Sequence, residues 1–208
     1  MHSLLRILVG LSALWAAGAL LYQFMVARGG GRKDYSRRAG VPWRGMVHNF
    51  TVAMMPSHKE TVSRHPGKFA LGMLMHAGTV VALLNVLTLI IREDAGLWML
   101  KLDWPLSALG LLCGLALMVR RATDPLLRGI SVPDDGIAIV ATCLLLLLAL
   151  LASFIPGASN WLLAYSVPLL IYLPLGKLRH ALFFFIARGD YGRRLGYRGV
   201  YPPAAETK

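Results

Sequence analysis

Between Gly136 and Phe154 the chain carries no charged residue, and its centre, Cys143 to Ala152, is almost pure aliphatic. A stretch of this length and composition has few homes in water. Four further runs share its character: Leu4–Val26, about Phe69–Ile91, a third reaching Val119, and Trp161–Ala187. A bilayer core about 30 Å thick takes roughly 20 helical residues to cross, and lipid tolerates no unpaired backbone. The sequence therefore predicts an all-α integral membrane bundle of five transmembrane helices, with spans at about 4–26, 69–91, 100–119, 136–154 and 161–187. Composition agrees: 56% of the residues are hydrophobic and only 15% charged, which excludes a water-soluble enzyme domain or a disordered tail.

A net charge of +12 would suggest nucleic acid in a soluble protein. Here the cations lie in short segments beside the spans, so the reading is no nucleic acid and contact with membrane lipid instead. Nine Lys and Arg fall in 28–68, three in 120–135 and seven in 177–208, against only Arg6, Arg92 and Lys101 on the other side. The positive-inside rule then puts the N-terminus outside and the C-terminus in the cytoplasm. That leaves a basic cytoplasmic loop at 28–68 and a basic cytoplasmic tail at 188–208. The first run is read as an uncleaved span rather than a signal peptide, because it stays apolar to Val26 and nine cations follow.

Of six histidines, only His76 and His180 fall inside apolar runs. An ionisable group within a span is a functional hypothesis by default. His76 lies seven residues after Phe69 and His180 seven before Ala187, which places both about 10 Å from the cytoplasmic end at about 1.5 Å per residue. Two imidazoles at one depth on different helices suit the two axial positions of a b-type haem, and such a centre carries electrons without binding oxygen. No CxxCH motif is present, so covalent haem attachment is not expected. Gly72 and Gly78 flank His76 and would let a porphyrin approach the backbone. The plainer reading, in which each imidazole bonds a carbonyl or sits at the interface, stands beside it.

Nucleotide-binding, zinc-protease, serine-hydrolase and CxxC signatures are absent from the sequence. Asp and Glu are read as lying in loops or at span ends, which argues against a proton-coupled transporter. Lys68, Lys177 and Arg179 are the nearest cations for haem propionates, and His65 falls close to the His76 face three turns earlier. His58 and Glu60 are candidate proton carriers. The segment Arg188–Pro203 mixes Arg with Tyr, types favoured at binding hot spots.

Two stretches are similar to a known family. Met54-Met55-Pro56-Ser57-His58-Lys59-Glu60, His65-Pro66-Gly67 and Met75-His76-Ala77-Gly78 resemble the entry to its second helix. Pro174-Leu175-Gly176-Lys177-Leu178-Arg179-His180, with Arg188, Gly192 and Arg198-Gly199-Val200-Tyr201-Pro202, resembles its close. The family is the membrane cytochrome b group that contains the respiratory nitrate reductase gamma subunit, with relatives in heterodisulfide reductase and sulfite-reduction complexes. The resemblance implies a quinone-reactive electron carrier in a prokaryotic inner membrane, serving a cytoplasmic iron–sulfur or catalytic partner. The nitrate-reductase type holds two haems through two histidines on each of the second and fifth helices. His76 and His180 match the inner pair, while Val86 and Leu162 stand where the outer pair should be. The expectation is one haem b per chain, with quinone as substrate. A haem-free membrane anchor or assembly subunit is the alternative.

Overall fold

The computed structural model describes residues 2–30, 35–92 and 96–203; parts of the basic loop (31–34), of a turn (93–95) and of the tail (204–208) lie outside the described residues, as does the Glu60 side chain. In chain order the helices are α1 (His2–Gly29), α2 (Pro42–Phe50), α3 (Glu60–Arg64), α4 (Pro66–Ile91), α5 (Gly96–Thr123), α6 (Pro125–Ile130), α7 (Pro133–Ala152), α8 (Ala158–Tyr172) and α9 (His180–Tyr197). Short 3-10 turns occur at Val52–Met54, Pro56–His58 and Lys177–Arg179. No strand occurs among the described residues. The protein is all-helical, and α1, α4, α5 and α7 are each long and apolar enough to cross a membrane.

The fifth apolar run differs from the expected single span. It is broken after α8, whose 15 residues reach only about 22 Å, short of a hydrocarbon core. Together with the helix beyond the break it would make a fifth crossing. Pro174 has no N–H to continue the helix. The Leu175 and Gly176 N–H groups both turn back to the Tyr172 carbonyl at 2.9 Å. A Cβ on Gly176 would collide with the Tyr172 ring and push it aside. The Ile171 carbonyl, whose helical donor would have been the Leu175 N–H, accepts instead from Trp15 Nε1 at 3.4 Å. His180 thus opens a helix rather than sitting in the middle of one.

The chain divides into two compact units. The first comprises residues 1–19 and 67–178. Its interior is aliphatic: Val86, Leu145, Leu146, Leu162 and Leu163 are at most 4% exposed and belong to one cluster. Helices α4 and α5 cross closely at Gly78 and Gly110, where a Cβ on Gly78 would strike the Leu106 carbonyl, the small-residue contact typical of membrane helices. Arg6 of α1 donates from Nε and Nη2 to the Ile90 carbonyl at 3.0 and 2.9 Å, placing a cation at the negative end of α4. At the start of α7, Asp135 Oδ2 caps the Val132 N–H at 3.0 Å. The outward faces carry large apolar side chains, such as Leu14, Leu112 and Ile91, of the kind a bilayer covers.

The second unit comprises residues 20–66 and 179–208. Parts of the basic loop and of the basic tail pack on each other here, through α2 and α9. Gly45 meets Gly192 and Gly196 backbone to backbone; a Cβ on Gly192 would lie 2.8 Å from the Gly45 carbonyl and 2.9 Å from Asn49 Cβ. The Ala39 and Gly40 N–H groups donate to the Tyr197 carbonyl at 2.9 and 3.1 Å. Asn49 and Arg188 bond reciprocally, Asn49 Nδ2 to the Arg188 carbonyl and Arg188 Nη2 to the Asn49 carbonyl, both at 2.6 Å.

Candidate functional site

His76 lies on α4 in the first unit. The buried positions of that helix include Gly78, Val81, Ala82, Asn85 and Leu89. At 100° per residue His76 falls nearly opposite them, and its side chain is exposed on the outer face. The imidazole is held by its own helix: Nδ1 donates to the Gly72 carbonyl, one turn earlier, at 2.6 Å. The tautomer that makes this bond carries its lone pair on Nε2. A fixed Nδ1 donor with a basic Nε2 is the arrangement used by metal-ligating histidines. It also meets the plainer expectation of a carbonyl-bonded histidine, so the bond alone serves both readings.

The two glycines beside His76 differ. Gly78 is buried against α5, so its missing Cβ serves helix packing and not a porphyrin, contrary to the expectation above. A Cβ on Gly72 would meet nothing within 4 Å, which leaves this approach to the His76 ring open. Lys68, two turns before His76, is exposed on the first turn of α4.

Lys177 closes the first unit. Its ammonium pairs with Asp135, and its backbone N–H donates to Asp134 Oδ2 at 2.8 Å. The Tyr172 hydroxyl donates to the other Asp134 oxygen. Arg121 Nη1 lies 2.9 Å from Asp135 Oδ1. Two carboxylates at the N-terminus of α7, where the helix dipole favours them, therefore pin the turn that ends α8. Lys177 acts there as a clamp.

In the second unit, Arg179 ends the 3-10 turn as the residue preceding α9, and His180 is the first residue of α9; both are exposed. His65 links α3 to α4, its N–H donating to the Val62 carbonyl at 3.1 Å, and is exposed. His58 is exposed beside Ser57. His48 meets the Tyr201 ring in a tilted contact, with ring centroids 4.7 Å apart. Arg188, the first residue of the Arg- and Tyr-bearing segment, is joined to Asn49 and lies 6.0 Å over the Phe184 ring.

Among the described residues no three His, Cys, Asp or Glu side chains gather as a metal site. A multidentate centre of the zinc type lacks its donor set there, whereas axial ligation of a haem needs only two imidazoles. The His76 geometry fits that role.

One group of residues was misread from the sequence. Asp103 was placed at a span edge, yet it is an interior residue of α5 and fully buried, bonded to Asn85 and Ser107. Asn85, a lone amide in the apolar run of α4, was the available signal, since a polar side chain in a span needs a partner. Comparison with known protein families, with curated proteins and with solved structures finds no match for the chain.

Proposed function

We propose that this chain is a membrane electron-transfer subunit of the cytochrome b kind, with one b-type haem held axially by His76 and His180 near the cytoplasmic side. In this reading the chain crosses a prokaryotic inner membrane five times, with its N-terminus outside and C-terminus inside, as the nineteen-to-three cation asymmetry asks. The haem supplies a one-electron store between a quinone and a cytoplasmic iron–sulfur or catalytic partner.

The observation that carries the reading is His76: an imidazole on an apolar outer helix face, its Nδ1 tied to the Gly72 carbonyl. That bond orients the ring and raises the basicity of Nε2. His180 provides the second nitrogen. Lys68 and Arg179 neutralise propionates, with His65 as a further donor, while Lys177 contributes by fixing the turn ahead of His180. Support for a single haem comes from Val86 and Leu162, at the positions of the missing outer ligands. They are 4% and 0% exposed in one aliphatic cluster, so the outer half is filled by side chains. The basic, Tyr-bearing surface of α9 docks the partner.

Reduction of the purified protein by a quinol analogue tests this. The expected result is a b-type reduced-minus-oxidised spectrum with the low-spin signature of bis-histidine ligation. A haem-free anchor is favoured instead if the His76–Gly72 bond is purely structural. It would give a folded, colourless protein that still captures its partner.

A further inference from the structure

The first unit contains an oxygen cluster that the proposed electron transfer does not use. Asp103 of α5 and Ser107, one turn later, are fully buried, and Asn85 of α4 is 1% exposed. Asn85 Nδ2 donates to Asp103 Oδ2 at 2.6 Å and Ser107 Oγ to Asp103 Oδ1 at 2.8 Å. Ser153, at the C-terminal cap of α7, approaches Oδ2 at 3.4 Å. The other end of the Asn85 amide is different. Its Oδ1 is buried with no hydrogen-bond partner.

The inventory is unbalanced. Three donors already serve the Asp103 carboxyl group, which as a carboxylate would hold one buried negative charge, and one buried acceptor remains beside it. Buried charges are paired or ligate ions, and a bilayer interior sharpens that requirement. A water molecule would satisfy Asn85 Oδ1 but leave the charge. A proton on Asp103 would remove the charge but leave one end of the amide unpaired, whichever way the amide is turned, so that a water would be needed as well. A small cation answers both at once, since it neutralises the carboxylate and takes the amide carbonyl as a ligand. Carboxylate, amide and hydroxyl oxygens are the hard donors such ions select. With a single carboxylate, charge balance points to a monovalent ion.

We propose that Asp103, Asn85, Ser107 and Ser153 form a binding site for a monovalent alkali cation of the sodium class, within the helices of the first unit. The site shares no residue with the haem ligands, so it stands or falls independently of the electron-transfer reading.

The test is thermal unfolding of the detergent-purified full chain, titrated with sodium chloride against choline chloride at constant ionic strength. Wild type is expected to gain several degrees, saturably and with sodium only. Asp103→Asn should lose the sodium response, and Ser107→Ala should weaken the apparent affinity about tenfold. Equal melting of wild type in sodium and choline would overturn the proposal. So would an infrared carboxylic-acid band in wild type in sodium that disappears in Asp103→Asn, since a proton would then fill the role. Should the variants fail to fold, the wild-type titration decides alone.

Discussion

The two compact units hold their helices together in different proportions: the first adds one glycine crossing, Gly78 on Gly110, to a leucine-filled interior, whereas the α2–α9 contact of the second rests on glycines throughout. In the first, Leu145, Leu146, Leu162 and Leu163 fill the interior, all at most 1% exposed. In the second, Gly45, Gly192 and Gly196 remove side chains from the contact, and α2 lies on α9 backbone to backbone. Between membrane helices there is little hydrophobic drive for association, so close packing and buried hydrogen bonds must supply it. The first unit shows both, in its leucines and in Asn85–Asp103. The second relies on proximity and on the reciprocal Asn49–Arg188 bonds. Bulky packing leaves room for adjustment, whereas a glycine contact leaves none.

The largest expected effect follows from that contrast. Gly192→Leu would drive a side chain into the Gly45 carbonyl and Asn49, and should cost the second unit about 3 kcal/mol or more, beyond the usual range for overpacking because the obstacle is backbone. Limited proteolysis should then cut within α2 and α9 while the first unit stays protected. Gly72→Ala is the matched control. With nothing near its Cβ, it should leave the melting temperature unchanged or slightly raised, within about 1 kcal/mol.

Leu146→Ala should cost the first unit about 2–5 kcal/mol through the cavity it leaves, measured as a lowered midpoint on unfolding. Asn49→Ala is smaller, about 1–2 kcal/mol, because it deletes one bond to the Arg188 carbonyl but also removes the unpartnered Asn49 Oδ1. Arg6→Gln should be the smallest, about 0.5–1 kcal/mol, with earlier hydrogen exchange at the end of α4. If Gly192→Leu proved milder than Leu146→Ala, the contrast between the units would be wrong.

The four long helices were legible because runs such as Gly136–Phe154 have only one low-cost conformation in lipid. Helix ends were less so: α4 begins at Pro66, outside the apolar run, since Pro at a first turn does not register in hydropathy. The break after Tyr172 was hidden for a similar reason. Pro174 and Gly176 are followed by Lys177, Arg179 and His180, yet the apolar residues that resume at Ala181 let the whole stretch pass as one span.

The candidate site was legible in its histidines but not in its surroundings. An imidazole in a span is conspicuous; that Lys177 would be tied to Asp135 across α7 depends on tertiary contact. Gly192 and Gly196 carry the four-residue spacing of close-packed helices, yet the Arg and Tyr around them drew the reading toward a docking tail. Asp103 was missed because a charge near the end of an apolar run looks like a boundary. Its three hydrogen bonds, to Asn85, Ser107 and Ser153, exist only in the folded bundle.

The central claim is that the chain binds one haem through His76 and His180. The measurement is haem b per mole of purified chain, by pyridine haemochrome, in wild type, His76→Ala and His180→Ala, each verified as folded. The account predicts one haem in wild type and its loss in both variants. Two haems per chain, none in a folded wild type, or full retention in either variant would contradict it.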